Sequence, residues 1–413
     1  MLNATTSGLS ALPGTAQPFA CTQALWRFLR HPNVTLPALI EPIRETARPR
    51  LARAEIHVGL VIHDWSMLHL GRHTTNRDRF QRTHAADLGY ELGSALLVEP
   101  DRGTPLGPME LRLRSARKVH TTRLGGAPVH SSHLDEVVEV MEAARGWGLE
   151  RPLVHIIDRE VDSVWHDRLW HALGYWFLVR ADAQRVVRWD GQALPLSAIA
   201  AAVGVAGGFT DTGQNVTLSD RRTGRLQIAE TAVVLDRPAQ RTIAGRKRTI
   251  RGVPLRLRLV LARIVAADGR VLAEWLLLTN VPALFGAATI VQWYYWRWRI
   301  ESYHKLLKSA GQQVERWQQE TGERLAKRLV LVSMACLTVW ALMQDESAAA
   351  AALRGVLVRL SGRQMKWGVE STAPALLAGL EKLLAVLDLL EHYDPQELRR
   401  LVRSALPSLF NSS

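Results

Sequence analysis

The sequence predicts an α/β fold: a mixed sheet with flanking helices, interrupted by a β-rich insertion and followed by a helical C-terminal region. Three observations carry this. Apolar strand-like runs and amphipathic helical runs succeed one another between residues 51 and 183. Residues 184–280 are turn-rich and alternate apolar with polar side chains. From residue 281 the chain is helical in character almost to its end.

The elements follow in order. Residues 1 to about 22 are rich in Thr, Ser, Ala, Gly and Pro and read as a loose leader, while residues 23–50 read as basic and helical, ending at Pro49. EIHVGLVIHD (55–64) is an apolar β-rich run that ends in an aspartate, and YELGSALLVE (90–99) and PMELRLR (108–114) are the next strands. SSHLDEVVEVMEAARG (131–146) places Leu134, Val137, Val138 and Met141 at helical spacing between a serine cap and Gly146. RPLVHIIDRE (151–160) is a strand again ending in an aspartate; a short helix at 163–173 and the strand YWFLVRA (175–181) complete this part. In the insertion, RLRLVLARIV (256–265) alternates and Asp268-Gly269 signals a hairpin. The expected division is therefore 1–50 leader and basic helix, 51–183 first part of the core, 184–280 insertion, 281–345 core helices and 346–413 helical C-terminal region. No internal repeat interrupts this order.

A hydrophobic content of 47% excludes global disorder. The net charge of +13, with Arg221, Arg222, Arg225, Arg246, Lys247 and Arg248 clustered in the insertion, points to a polyanionic partner, nucleic acid first. Cys21 and Cys336 are far apart and form no CxxC or Cys/His pattern, which argues against a zinc site or a disulfide framework and suits a reducing cytoplasm. No signal peptide is visible, and the apolar run at 329–343 is short for a membrane span, so it is expected to be a buried helix.

The chemistry concentrates at three carboxylates. Asp64 and Asp158 stand at the carboxyl ends of expected strands, where ligands gather in open α/β sheets; capping of the next element is the structural alternative for each. The third lies in YYWRWRIESYHKLLK (294–308). On one helix, Tyr294, Arg297, Glu301 and Lys308 would share a stripe roughly 60° wide. That stripe is a solvated salt-bridge face or a site, since Arg297 and Glu301 form an i,i+4 pair. Three carboxylates suit Mg²⁺, or Mn²⁺ in its place, and two such ions support in-line displacement at phosphorus. Arg297 and Lys308 would then hold phosphates.

The spacing Tyr294, Arg297, Glu301, Lys308 resembles the YREK signature of a group of bacterial insertion-sequence transposases, DDE enzymes with a ribonuclease H-like catalytic core. HDWS around Asp64, IIDREVDS around Asp158, ALWRFLRHPNV (24–34) and EWLLLTN (274–280) extend the similarity over about residues 24–345. The resemblance implies Asp64, Asp158 and Glu301 as the metal-binding triad, with Tyr294, Arg297 and Lys308 on DNA phosphates. It also implies Trp275 as a platform for a flipped base, against the plain alternative of a strand tryptophan packed in the insertion. It further implies cut-and-paste transposition on double-stranded DNA by a homodimer in the bacterial cytoplasm, at the nucleoid, with no membrane association. Members of the group carry a helical end-binding region before the ALWRFLRHPNV-like run; here a short leader stands there. End recognition is then expected from the insertion and C-terminal helices, or the chain is a shortened copy. Glu160 and Asp162 are alternative ligands beside Asp158. His63-Asp64 also fits an HD-type phosphohydrolase, but no spacing marks the further histidines needed. His57 and His155 read as locally packed strand residues. The leucines of 375–393 are expected to pack on the core or to form a dimer contact. The rivals to the transposase are a DNA-binding remnant that inhibits transposition and a metal-dependent nuclease that never joins strands.

Overall fold

The computed structural model describes residues 18–405 apart from 54, 72–77, 82, 83, 85, 86, 131, 159–162, 219–221, 244, 245 and 309. Glu160, Asp162, Arg221 and most of the expected leader lie outside the described residues. The region read as one N-terminal helix is two, α1 (Pro18–Arg30) and α2 (Leu36–Leu51); Thr35 caps the second by accepting from Ala38 N at 3.3 Å.

The core then runs β1 (Gly59–His69), β2 (Phe80–Gln81), β3 (Leu88–Val98), β4 (Pro105–Arg114), β5 (Val119–Thr121), α3 (His133–Arg145), β6 (Leu153–Ile157), α4 (Val164–Ala172) and β7 (Trp176–Arg180). After β8 (Val186–Trp189) and β9 (Gln192–Pro195) comes α5 (Leu196–Val205), then β10 (Thr210–Thr217), β11 (Thr223–Leu235), the two-stranded pair β12 (Ala239–Ile243) and β13 (Arg246–Ile250), β14 (Leu255–Val265) and β15 (Val271–Thr279). The rest is helical: α6 (Ala287–Tyr295), α7 (Trp298–Leu307), α8 (Gly322–Gln344), α9 (Ala348–Ser361), α10 (Ala373–Leu390) and α11 (Pro395–Ala405).

The sheet order is β5-β4-β3-β1-β6-β7-β15-β14-β11-β8-β9, with β2 on β3 and β10 on β11. β3, β4 and β5 form an antiparallel meander beside β1, whereas β6 and β7 run parallel to β1. The insertion is not a separate sheet. Its last strand, β15, pairs antiparallel with β7 through Leu277↔Arg180, so the insertion extends the core sheet. It also contains a helix, α5, where strands alone were expected.

Side chains alternate between two cores. Along β14, Leu257, Leu259 and Leu261 enter one apolar cluster and Val260 and Ala262 the other, so this part of the sheet is covered on both faces. α8 is the apolar run that the sequence marks; it is long and apolar enough to cross a membrane, but 78% of its most apolar window is buried inside the fold. Its N-cap, Thr321, accepts from Arg324 N at 3.4 Å, and buried Lys327 is satisfied by Glu323 at 2.9 Å and by the Leu29 carbonyl at 3.2 Å.

Two local corrections bear on the site. β1 does not end at Asp64; its pairing with β3 continues to His69↔Gly89, because backbone bonding persists after the apolar run stops. The stretch 294–308 is not one helix. It breaks at Trp296-Arg297, where Arg297 N bonds Tyr294 O and Ile300 N bonds Arg297 O in tighter i→i−3 steps. The cause is tertiary: the Trp296 indole donates to Pro100 O at 2.9 Å and lies over Gly103. Gly103 has φ +63°, and a Cβ there would lie 2.2 Å from the Trp296 ring. Gly103→Ala is therefore expected to lower stability by about 2–4 kcal/mol, by combining left-handed strain with displacement of the indole. Urea unfolding checks this; an unchanged midpoint would refute the anchoring role of Trp296.

Candidate active site

The site begins with strand register. His63 is paired with Ile157 across β1 and β6, and Ile157 with Val179 across β6 and β7. The next residue on each strand is Asp64, Asp158 and Arg180, so parallel pairing alone sets these three in a row. On the other side of β1, Asp64 faces Ser94.

The broken helix pair α6–α7 supplies the rest. Tyr294, at the end of α6, donates its hydroxyl to Asp158 Oδ1 at 3.1 Å. Arg297, at the break, forks: Nη1 lies 3.2 Å from Asp158 Oδ2 and Nη2 3.0 Å from Glu301 Oε1. Arg180 Nη1 lies 4.0 Å from Asp158 Oδ1. His304, one turn after Glu301, places Nδ1 3.4 Å from Asp64 Oδ2 and Nε2 3.1 Å from Ser94 Oγ. Lys308 ends α7; its ammonium donates to the Met67 carbonyl of β1 and lies 3.9 Å from Glu315 Oε1.

The structure thus joins Asp158, Tyr294, Arg297 and Glu301 directly, and ties Asp64 to the same helix through His304. Lys308 bonds to β1 three residues beyond Asp64. Trp275 is different. It is half-buried on β15 against the larger apolar cluster, and among the described residues no hydrogen bond or ring contact links it to the carboxylates.

Burial divides the group by role. The Asp64, Asp158 and Glu301 side chains are each about a third exposed, whereas Arg297 is 7% exposed as a residue. Burial alone would weaken the Arg297 cation, but Tyr294, Asp158 and Glu301 outweigh it and its pKa rises. Burial, followed by the Asp158 charge, raises the Tyr294 phenol, so it stays protonated and remains a donor. Burial lowers the Lys308 ammonium, partly offset by Glu315 and Asp64. On the opposite face of the sheet from Asp64, His63 Nε2 and His155 Nδ1 meet at 2.9 Å; burial pulls His63 down to about 3 and, with His63 beside it, His155 well below its usual value.

Three carboxylates form a hard oxygen donor set, the chemistry that divalent magnesium or manganese takes. In the present arrangement the positive charge between Asp158 and Glu301 is the Arg297 guanidinium, and among the described residues no three His, Cys, Asp or Glu side chains converge tightly enough to hold a metal ion. The donor chemistry fits a divalent cation; the ligands are not gathered around one point.

Sequence reasoning missed His304 and Arg180. Arg180 carried a signal, as the basic end of WFLVR beside the Asp158 strand; His304 carried only its i+3 position after Glu301.

No family model matches this chain, and no curated protein is significantly similar to it. Among solved structures, a piggyBac transposase synaptic complex with hairpin DNA aligns at TM-score 0.35 and 11% identity, over 84% of this chain and 56% of that one. At that level the similarity assigns neither activity nor site.

The fork is testable by itself. Arg297→Ala removes the shared counter-charge of two neighbouring carboxylates and is expected to cost about 1–3 kcal/mol, less than a fully buried pair because both carboxylates meet solvent and Asp158 keeps Tyr294 and Arg180. Arg297→Lys should restore only part, since one ammonium cannot reach both acids in a planar fork. Thermal unfolding of the two variants measures this, and equal stability of wild type and Arg297→Ala would contradict the fork.

Proposed function

We propose that the chain is a DNA transposase of the DDE type, belonging to the YREK-signature group and acting by metal-dependent cleavage of transposon ends followed by strand transfer. The observation that carries this reading is the convergence of Asp158, Tyr294, Arg297 and Glu301, with Asp64 set beside Asp158 by strand register. An antiparallel meander leading into parallel strands, with Asp64 and Asp158 where the parallel pairing of β1 and β6 stops, supports a ribonuclease H-like core.

Asp64, Asp158 and Glu301 would hold Mg²⁺ or Mn²⁺, two ions in the full reaction. When bound, the metal supplies activation of water or of a DNA 3′-hydroxyl and charge stabilisation at phosphorus. The chain's own groups do the rest. Lys308, with a point charge, would bind phosphates of the strand being cut, and so would the Arg297 fork once a bound cation replaces it between Asp158 and Glu301. Tyr294 orients Asp158 through its hydroxyl, and His304 fixes Asp64 against Ser94. Trp275 would receive a flipped base during hairpin formation. Two ends must be held together, so the working form is a homodimer on double-stranded DNA, in the cytoplasm at the nucleoid and away from membranes.

A second reading has a specific observation behind it. Arg297 neutralises Asp158 and Glu301 internally, and among the described residues no three-ligand group is assembled, which suits a DNA-binding remnant that inhibits transposition without cutting. A nuclease without strand transfer is the remaining variant of the catalytic reading.

The test is cleavage of labelled DNA carrying the element's own ends. With Mg²⁺ the wild type should produce nicks and then hairpin or joined products. Glu301→Ala should reduce cutting at least about a hundredfold, as loss of a central charge-stabilising group does, and EDTA should abolish it. Cutting that persists in Glu301→Ala would refute the triad. Binding without cutting by both proteins would select the remnant, and hydrolysis without joining the nuclease.

A further inference from the structure

Trp367 lies between α9 and α10 and is completely exposed. The burial of so large an apolar ring is normally favourable, so an indole held wholly in water calls for a reason. The local backbone supplies part of it. Val369 N donates to the Lys366 carbonyl at 3.0 Å, closing a four-residue turn, and Gly368 adopts φ +75° at its third position. The turn projects Trp367 at its tip.

The surroundings are cationic. Arg359, Arg363 and Lys366 are exposed, against one carboxylate, Glu370, in this connection. Among the described residues Arg359 and Lys366 have no carboxylate partner. Arg363 instead donates to the Ala310 carbonyl at 2.9 Å, tying the connection to the segment just after Lys308. Between the two, Ser371–Pro374, Arg299, Ser302 and Lys305 line a cleft of about 310 Å³ along the outer side of α7.

We infer that the Lys366-Trp367 turn is a nucleic-acid contact: Trp367 stacks on an unpaired base of the bound DNA while Arg359 and Lys366 take the flanking phosphates. This rests on the DNA reading above for the identity of the polymer. An aromatic ring flanked by free cations is the combination that binds single-stranded segments, because every base has a face to stack and every nucleotide a phosphate. The tether to Ala310 holds the start of this connection, at Arg363, beside the C-terminal end of α7.

The experiment uses the full chain without divalent metal, so its result is independent of whether the carboxylates cut. Fluorescence anisotropy compares a labelled blunt duplex with the same duplex carrying a single-stranded overhang. Trp367→Ala should weaken overhang binding about tenfold and leave the blunt duplex unchanged, while Trp367→Phe retains most of the affinity. Lys366→Gln should weaken both and reduce the salt slope by about one. Circular dichroism and the melting temperature of Trp367→Ala should match wild type, since the ring makes no internal contact. An equal loss on both DNAs, or none, overturns the stacking contact. If sedimentation shows a wild-type oligomer that Trp367→Ala dissociates, the turn is a protein contact and the inference is wrong.

Discussion

The arrangement of the site depends on one guanidinium. Arg297 is almost fully buried at a break between two helices and holds a carboxylate on each side, one from the sheet and one from its own helix. Without that bridge, Asp158 and Glu301 would lose their shared counter-charge, and α7 would keep only its other ties to the sheet, through His304 and Lys308. The bridge requires the break, because Arg297 reaches Asp158 from the tight turns that join α6 to α7. The break in turn requires Trp296 to be seated at Gly103, between β3 and β4. A glycine in one turn is thereby coupled to the charge balance of the site.

The sheet imposes the second constraint. Parallel pairing of β1, β6 and β7 aligns Asp64, Asp158 and Arg180 without help from loops. Extending the sheet through β15 covers the free edge of β7 and leaves the strand ends as the place where α6 and α7 can dock. Asp64 and Asp158 are then set by the sheet on one side and met on the other by His304 and Arg297 from helices. In this account a divalent cation and the Arg297 guanidinium are alternative counter-charges for the same carboxylates, which reconciles a hard oxygen donor set with the absence of a gathered three-ligand group among the described residues.

Much of this was legible in the sequence. The strand run ending at Asp158, the capped helix at α3 and the apolar α8 follow from periodicity and caps, and the structure places each close to its expected span. The failures have physical causes. β1 was read as ending at Asp64 because its apolar pattern stops there, whereas strand length is set by backbone pairing with β3. The single helix at 294–308 was broken by an indole anchored far away in sequence, and no Gly or Pro at the break announces it. The composition change at 184 marked the insertion but could not show that its strands continue the core sheet through β15, since sheets join through hydrogen bonds that composition does not record. α5 hides in the same turn-rich stretch. Its alanine-rich LSAIAAAVGV after Pro195 was the available signal. His304 could not be found from spacing, since its partners, Asp64 and Ser94, lie on two distant strands.

We propose that a divalent cation held by Asp64, Asp158 and Glu301 takes the place of the Arg297 guanidinium that joins Asp158 and Glu301. Electron paramagnetic resonance of Mn²⁺ added to the DNA-bound protein tests it most directly. The account predicts bound Mn²⁺ whose signal is lost in Asp158→Asn and which binds more tightly in Arg297→Ala, where the competing charge is gone. No bound Mn²⁺ in the wild type, or binding indifferent to Asp158→Asn, would contradict it.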